Sequence, residues 1–348
     1  MAFELNNNKK ILLHIGPPKT GSSAIQKCFL DNRELLLTEG IFYPAHYTDV
    51  NGISSGHQET ILSKNERGEF VIDRAKISAV IEQFNSSTAH TMVLSSEAFF
   101  RRAGNLVRIL PNCEVIAFVR NPIDFIESQY NQSVKRHMNA NKIELPSQPG
   151  IGQIKGLSQI IDENPEKKFH LHTYLRGEDI IDKFANVIGL KVNLAKPVGQ
   201  VNSSYTHEAL QFKRIINTFS LKKIDAELDR ALQGFTEGCS SYTYIPRARH
   251  VQYQKYCESV FSEFCESYEV VNSEQLLTEL TTQRTEVVKE QAIEPNELKA
   301  LLQFLQKRHK ATFKKLQQGL KYAGSDKRDV KEVVDVIARQ KLGLWFIK

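Results

Sequence analysis

Residues 9–27 read KKILLHIGPPKTGSSAIQK, and this stretch decides the fold. Ile11–Ile15 is a short, mostly apolar run between two lysines and a Gly-Pro-Pro sequence, which is typical of a buried central strand in a parallel sheet. A turn of small and polar residues follows, and the apolar positions after it recur at the spacing of an amphipathic helix. A strand, a turn containing a lysine and a helix together predict an anion-binding site, because the free N–H groups and the positive dipole end of the helix point at the anion.

The position of the lysine separates two classes of phosphate loop. A Walker A loop places its lysine directly after its second glycine. Counted from Gly16, the second glycine of this turn is Gly21, and Ser22 follows it, whereas Lys19 lies two residues before it. The turn is therefore not a Walker A loop, although a P-loop kinase or NTPase with an aberrant phosphate loop stays open as an alternative.

The same turn has a closer counterpart in another family. Its sequence, Pro18-Lys19-Thr20-Gly21-Ser22-Ser23, resembles the 5′-phosphosulfate loop of the sulfotransferases that use 3′-phosphoadenylyl sulfate (PAPS), whose usual form is P-K-[TS]-G-[TS]-[TS] after the first strand. The resemblance implies a P-loop NTPase-like fold and assigns this loop, with Ala24, to binding PAPS. It also implies a catalytic Lys19, which would stabilise the negative charge that grows on the leaving phosphate oxygen.

A second strand-to-helix junction supports the same resemblance. Cys113–Val119 is another apolar run, and Arg120-Asn121-Pro122 ends it, with the proline at the first turn of the next helix, where its missing N–H is tolerated. The sequence V-R-N-P, followed after six residues by Ser128, resembles the sulfotransferase 3′-phosphate motif. A guanidinium can bind phosphate through two hydrogen bonds and a hydroxyl adds a third donor, so the resemblance assigns Arg120 and Ser128 to the 3′-phosphate of PAPS.

Transfer of a sulfuryl group to a hydroxyl or amine also needs a general base, and two residues are candidates. Glu97 follows a predicted strand, at the sheet edge where α/β proteins bind ligands, and carbohydrate-sulfating members of the family use carboxylate bases. His57 lies at the end of a polar loop and could contact the acceptor or serve as the base. The sequence leaves both open. His14, inside the first strand, is expected to be a buried, hydrogen-bonded core histidine.

Strand and helix patterns alternate through residues 1–201, with further predicted strands at Thr91–Ser95 and Lys168–Tyr174. Alternation of this kind predicts βαβ units, and we expect an α/β fold, a three-layer sandwich with a central parallel sheet. From residue 202 strands become scarce and charged helical patterns dominate, including a long helix over residues 297–320. We therefore expect residues 202–348 to form a helical subdomain packed on the sheet domain.

Composition limits the remaining possibilities. The chain of 348 residues is 41% hydrophobic and 25% charged, which is ordinary for a globular protein. No apolar stretch approaches the length of a bilayer span and the N-terminus lacks the apolar core of a signal peptide, so we expect a cytoplasmic protein without a membrane span. Five scattered cysteines with no C-x-x-C pair predict reduced thiols and no metal site.

The net charge of +6 suits an anionic nucleotide, and it also raises nucleic acid as a partner. No RNA-binding aromatic pattern, zinc-finger spacing or helix-turn-helix is recognisable, so we expect no nucleic-acid partner. The leading interpretation is a PAPS-dependent sulfotransferase that sulfates a carbohydrate or small-molecule acceptor and releases adenosine 3′,5′-bisphosphate. Besides the P-loop kinase or NTPase, a sulfotransferase-like protein that binds the nucleotide without turnover is the second alternative. Acceptor specificity is expected in residues 48–56, 139–152 and the helical part, but the sequence determines neither the acceptor nor the oligomeric state.

Overall fold

The computed structural model describes residues 3–6, 8–48, 54–196, 204–321 and 328–339. Of the predicted acceptor loop, residues 48–56, the central part lies outside these described residues. The chain divides into two compact units, the first made of residues 1–125, 149–201 and 254–282, and the second of residues 126–148, 202–253 and 283–348. Two segments therefore cross the predicted division at residue 201, since 126–148 belongs to the second unit and 254–282 to the first.

The strands of the described residues are short. In chain order they are β1 (Lys10–His14), β2 (Ile41–Phe42), β3 (Leu62–Lys64), β4 (Phe70–Ile72), β5 (Thr91–Ser95), β6 (Cys113–Arg120), β7 (Lys168–Tyr174), β8 (Tyr242–Thr243), β9 (Val270–Val271) and β10 (Val287–Val288). Six of them form one sheet in the order β2-β5-β1-β6-β7-β9, and every neighbouring pair in it is parallel. β3 and β4 form an antiparallel pair, and β8 and β10 a parallel pair.

Helices flank the sheet and dominate the second unit. In chain order they are α1 (Ser22–Asp31), α2 (Arg33–Thr38), α3 (Gln58–Ile61), α4 (Arg74–Ser86), α5 (Ala103–Ile109), α6 (Pro122–Arg136), α7 (Gly152–Asp162), α8 (Ile180–Val187), α9 (His207–Asn217), α10 (Asp225–Gln233), α11 (Arg247–Ser267), α12 (Ser273–Thr281), α13 (Pro295–Arg308), α14 (Lys310–Leu320) and α15 (Arg328–Arg339). Short 3₁₀ helices span Glu97–Arg102 and Lys222–Ile224. The prediction of an α/β fold with a central parallel sheet is confirmed. No helix of the described residues is both long enough and apolar enough to cross a membrane.

The sheet order explains where a ligand can bind. β1 lies in the middle of the sheet, between β5 and β6, so the segments that follow these three strands leave the same edge of the sheet. His14 is in register with Ser95 of β5 and with Ile116 of β6, and β6 continues four residues further, to Arg120. Because the carboxyl ends of neighbouring parallel strands meet at one edge, the turn after β1 lies beside residues from both neighbours.

Aromatic packing joins α1 and α8 to the central strands. The Phe184 side chain on α8 is fully buried, and its ring centroid lies 4.9 Å from that of His14 on β1 and 5.1 Å from that of Phe29 on α1. Phe118 on β6 is fully buried as well and lies 6.3 Å from Phe184. This cluster fixes both helices against the strands whose ends carry the turn described below.

The second unit has a core of its own. Its fully buried side chains include Leu210 and Phe212 of α9 and Leu301 and Leu305 of α13. The predicted long helix over residues 297–320 is two helices in the structure, because His309 between α13 and α14 has a non-helical backbone (φ −130°, ψ 46°). No glycine or proline marks this break, so the apolar spacing alone could not reveal it.

Replacement of Phe184 by alanine should destabilise the first unit by about 3–5 kcal/mol, because it removes a buried aromatic ring and leaves a cavity. Urea unfolding followed by circular dichroism would measure the loss. Leu37→Ala is the matched control, since that side chain is 40% exposed and its removal opens no cavity. Equal losses for the two variants would contradict the packing described here.

Candidate anion-binding site

The turn between β1 and α1 has an unusual backbone. Gly16, Lys19 and Gly21 all have left-handed φ angles, of 80°, 72° and 78°. Glycine adopts such angles without strain, whereas lysine does not. The Thr20 hydroxyl lies 2.8 Å from the Gly16 carbonyl oxygen and 2.7 Å from that of Pro17, which closes the turn from within. The Gly16–Gly21 turn is therefore a fixed loop with a strained lysine at its centre.

The start of α1 faces this loop without a side-chain cap. Gly21 is the N-cap residue and contributes no side chain, and the first turn of the helix carries no acidic residue. The Ser22 hydroxyl is buried, and the Glu97 carboxylate is the hydrogen-bond acceptor beside it. Ser23 and Ala24 continue the first turn and are partly exposed.

Close packing explains the second glycine of the loop. A Cβ atom added to Gly21 would lie 2.8 Å from the Ile180 Cγ2 atom and 3.2 Å from the Tyr174 Cε2 atom. The first of these distances is shorter than van der Waals contact allows, so a larger residue would displace α8 or the end of β7. Gly21 is thus required both for its backbone angle and for the approach of its neighbours.

Arg120 joins the second motif to the loop. Its Nη1 atom donates a hydrogen bond to the Lys19 carbonyl oxygen at 2.6 Å, and its guanidinium carbon lies 5.2 Å from the centroid of the Tyr174 ring. Its Nε atom is buried and has no hydrogen-bond partner. Because Arg120 keeps an unpaired donor and its positive charge at the loop, it can bind an anion placed there.

Glu97 lies on the opposite side of the loop. It opens the 3₁₀ helix after β5, and a Cβ atom added to Gly16 would lie 3.1 Å from the Glu97 Cα atom and 3.3 Å from its Cγ atom. Burial raises the pKa of Glu97, and the positive charge and backbone N–H of Lys19 and the hydroxyl of Ser22 oppose that rise. Burial also lowers the pKa of Lys19, which the Glu97 charge opposes and the Arg120 charge reinforces. Lys19, Glu97 and Arg120 thus form one coupled group.

His57, the second candidate for the general base, belongs to the core instead. It is fully buried, its Nδ1 atom accepts from the Ser95 backbone N–H at 2.9 Å, and its Nε2 atom lies 2.9 Å from the Pro44 carbonyl oxygen. Burial lowers the pKa of His57 to about 3. Both ring nitrogens are used, so His57 has none left for an acceptor, and the structure gives it a structural role rather than that of a base.

The other residues singled out in the sequence lie in the core, in the loop and on α6. His14 is fully buried and its Nδ1 atom lies 2.8 Å from the Ser95 hydroxyl oxygen, which confirms the expected core histidine. Pro18 is partly exposed in the loop, and its carbonyl oxygen accepts from the Gln153 side chain at 2.8 Å. Ser128 is partly exposed on α6, in the part of that helix that belongs to the second unit, and its assignment to the 3′-phosphate stays a prediction.

Two contacts at the site escaped the sequence-based prediction. Tyr174 ends a predicted strand, as Arg120 does. Its position at the carboxyl edge of the sheet could therefore have indicated a place in the site. Gln153 lies on α7, far from either motif in sequence, and no spacing predicts its bond to Pro18. Among the described residues, no group of three or more His, Cys, Asp or Glu side chains could hold a metal ion.

Neither a protein-family model nor a curated protein sequence matches this chain. The chemistry of the site therefore rests on its own residues, which are a strained lysine, an arginine with one unpaired donor among the described residues, a buried serine hydroxyl and a carboxylate. Together with the uncapped helix N-terminus they form a site suited to a phosphate-like anion.

Lys19→Gly should have a free energy of unfolding about 0.5–1 kcal/mol higher than that of Lys19→Ala, because both changes remove the charge beside Glu97 and only glycine adopts the left-handed angle without strain. Urea unfolding of the two variants measures the difference. Both changes should weaken binding of adenosine 3′,5′-bisphosphate, measured by isothermal titration calorimetry. Ser220→Gly is the control: it relieves a left-handed angle of 50° in the second unit and should leave binding unchanged. Equal stability of Lys19→Gly and Lys19→Ala would argue against strain at this position.

Proposed function

We propose that this chain is a PAPS-dependent sulfotransferase, which transfers a sulfuryl group to a hydroxyl or amine of a carbohydrate or small-molecule acceptor. The observation that carries the proposal is the hydrogen bond from Arg120 to the Lys19 carbonyl oxygen. It joins the two segments that resemble the 5′-phosphosulfate loop and the 3′-phosphate motif, although they are a hundred residues apart in sequence. A meeting of two matching motifs at the carboxyl edge of a parallel sheet is much less expected by chance than either motif alone.

The residues present fit the phosphosulfate end of PAPS. The Arg120 Nε atom is a buried donor without a hydrogen-bond partner among the described residues. The N-terminus of α1 has neither an acidic residue nor a side-chain cap to satisfy its N–H groups. Each of these features favours an anion with several oxygen atoms, and none of them favours a cation or an apolar ligand.

When bound, PAPS supplies a sulfuryl group carried on its 5′-phosphate. Lys19 would hold the phosphate side of that bond, where negative charge grows as the bond breaks. Its partial burial strengthens this effect, since an ammonium group in a less polar environment interacts more strongly with an anion than in water. Arg120 keeps the Lys19 backbone in place through the carbonyl oxygen and adds a second positive charge.

Glu97 is the residue that would remove the proton from the acceptor. It lies against the loop, it is only partly exposed, and burial raises its pKa above the ordinary value for glutamate. A carboxylate of raised pKa is a stronger base than a free one. With His57 buried and fully hydrogen-bonded, Glu97 is the better of the two candidates.

Adenosine 3′,5′-bisphosphate should raise the melting temperature of the protein without magnesium, whereas ATP with magnesium should not. Ligand at about a hundredfold excess over its Kd adds about 2.7 kcal/mol to the free energy of unfolding, which differential scanning fluorimetry detects easily. A shift with magnesium–ATP alone, accompanied by hydrolysis, would support the P-loop NTPase alternative. Binding of the bisphosphate without transfer to any acceptor of a panel would support the non-catalytic alternative.

Variants of the two cationic residues should separate chemistry from binding. Lys19→Ala should lower kcat about 10²–10³-fold, the usual loss when one electrostatic donor to a transition state is removed. Arg120→Ala should mainly raise the KM for PAPS. Lys27→Ala is the control, because its side chain pairs with Asp31 on the surface of α1 and should leave both constants unchanged. Full activity in Lys19→Ala would overturn its role.

A further inference from the structure

A carboxylate beside an anion-binding loop is unexpected, because it repels the anion. Glu97 is held there by its backbone, since the Ser96 N–H donates to the His14 carbonyl oxygen at 3.2 Å and the Ser96 hydroxyl donates to the Ser55 carbonyl oxygen at 2.7 Å. The Ser96 side chain also accepts from the Ala98 N–H and so caps the 3₁₀ helix that Glu97 opens. The end of β1 and the segment before α3 thus fix the backbone from which the Glu97 side chain extends beside the loop.

The Glu97 carboxylate lies close to the atoms of the loop that would bind a ligand. The position that a Gly16 Cβ atom would occupy is 3.3 Å from the Glu97 Cγ atom and also 3.3 Å from the Ser22 hydroxyl oxygen. Lys19 contributes its charge and its backbone N–H to the same carboxylate. A ligand oxygen that binds to Ser22 and Lys19 therefore comes close to an existing negative charge.

Among the described residues, the charges near the Glu97 carboxylate come from the loop, the start of α1 and the end of β6. Lys19 on the loop is positive, the N-terminus of α1 carries about half a positive charge, and Arg120 at the end of β6 acts on Lys19. The buried histidines of the neighbouring elements, His14 on β1 and His57 before α3, each have a pKa lowered by burial to about 3, and both contact Ser95. They stay neutral near pH 7 and do not offset the Glu97 charge.

We propose that Glu97 is a specificity residue that limits the negative charge of the group attached to the 5′-phosphate of a nucleotide bound at the Gly16–Gly21 loop. A terminal sulfuryl group carries one negative charge, and a terminal phosphate carries up to two at pH 8. The sulfuryl group can share the loop with an ionised Glu97, because Lys19, Arg120 and the helix end balance the two charges. The second charge of a phosphate finds no such partner and is repelled by the carboxylate.

This inference rests on the proposed function and connects the two roles of Glu97. With a sulfuryl ligand the carboxylate stays ionised, so it remains able to take a proton from the acceptor. With a terminal phosphate it must take up a proton or move away, and in both cases the base is lost. The carboxylate that would serve the reaction thus also excludes nucleotides that carry a second phosphate on their 5′-phosphate, such as ADP and ATP.

Two isosteric nucleotides test the proposal. Adenosine 5′-phosphosulfate and ADP differ only in the terminal sulfate or phosphate, so their affinities can be compared by isothermal titration calorimetry at pH 8 in EDTA. The wild-type protein should bind the phosphosulfate about ten- to a hundredfold more tightly, the size expected for one extra charge near a carboxylate at the edge of the protein. Glu97→Gln should bind ADP more tightly than the wild type does and reduce the preference to about threefold or less.

The control and the remaining outcomes follow from the same comparison. Glu82→Gln removes an exposed carboxylate from α4 and should keep the wild-type preference. An equal preference in wild type and Glu97→Gln would overturn the inference, even if the protein transfers sulfuryl groups from PAPS. A preference that depends on Glu97 in a protein without transferase activity would support the inference and count against the proposed function. If neither nucleotide binds at millimolar concentration, the loop does not recognise the terminal group and the inference fails, whereas the proposed function is decided by the melting-temperature test with adenosine 3′,5′-bisphosphate.

Discussion

The hydrogen bond between the Arg120 guanidinium and the Lys19 carbonyl oxygen connects the ends of two neighbouring strands. It holds the strained backbone of Lys19 in the left-handed conformation, and it keeps the Arg120 charge at the loop. The Tyr174 ring, from the next strand, contacts both Arg120 and the neighbourhood of Gly21. Three adjacent strand ends are thus fixed around one backbone turn, and every proposed ligand contact depends on that arrangement.

The residues of this site lower the stability of the folded protein. The left-handed lysine and the Arg120 Nε atom, which has no hydrogen-bond partner among the described residues, are each unfavourable in a folded protein. The surrounding packing, with Phe184 and Phe118 against β1 and β6, is what compensates for them. Strain and an unpaired donor that meet at one loop are typical of a binding site, because a ligand can relieve them whereas a mere connection would have no need of them.

Much of this could be predicted because it is local. The spacing of apolar residues predicted β5 and β7 with the bounds that the structure has, and the lysine position excluded a Walker A loop. The choice between Glu97 and His57 could not be made in this way, since each follows a small polar segment. It depended on burial and on which backbone groups approach the side chain: Ser95 and Pro44 occupy both nitrogens of His57, whereas Glu97 faces the loop.

By itself the sequence determined the buried strand, the turn and the helix that follows it, because turn composition and apolar spacing are properties of adjacent residues. Only the tertiary structure decided that β1 lies between β5 and β6, which brings Glu97 and Arg120 to the two sides of Lys19. It also placed residues 254–282 with the sheet, through the pairing of β9 with β7. Strand order and partnership arise from packing between distant segments, for which the local pattern holds no information.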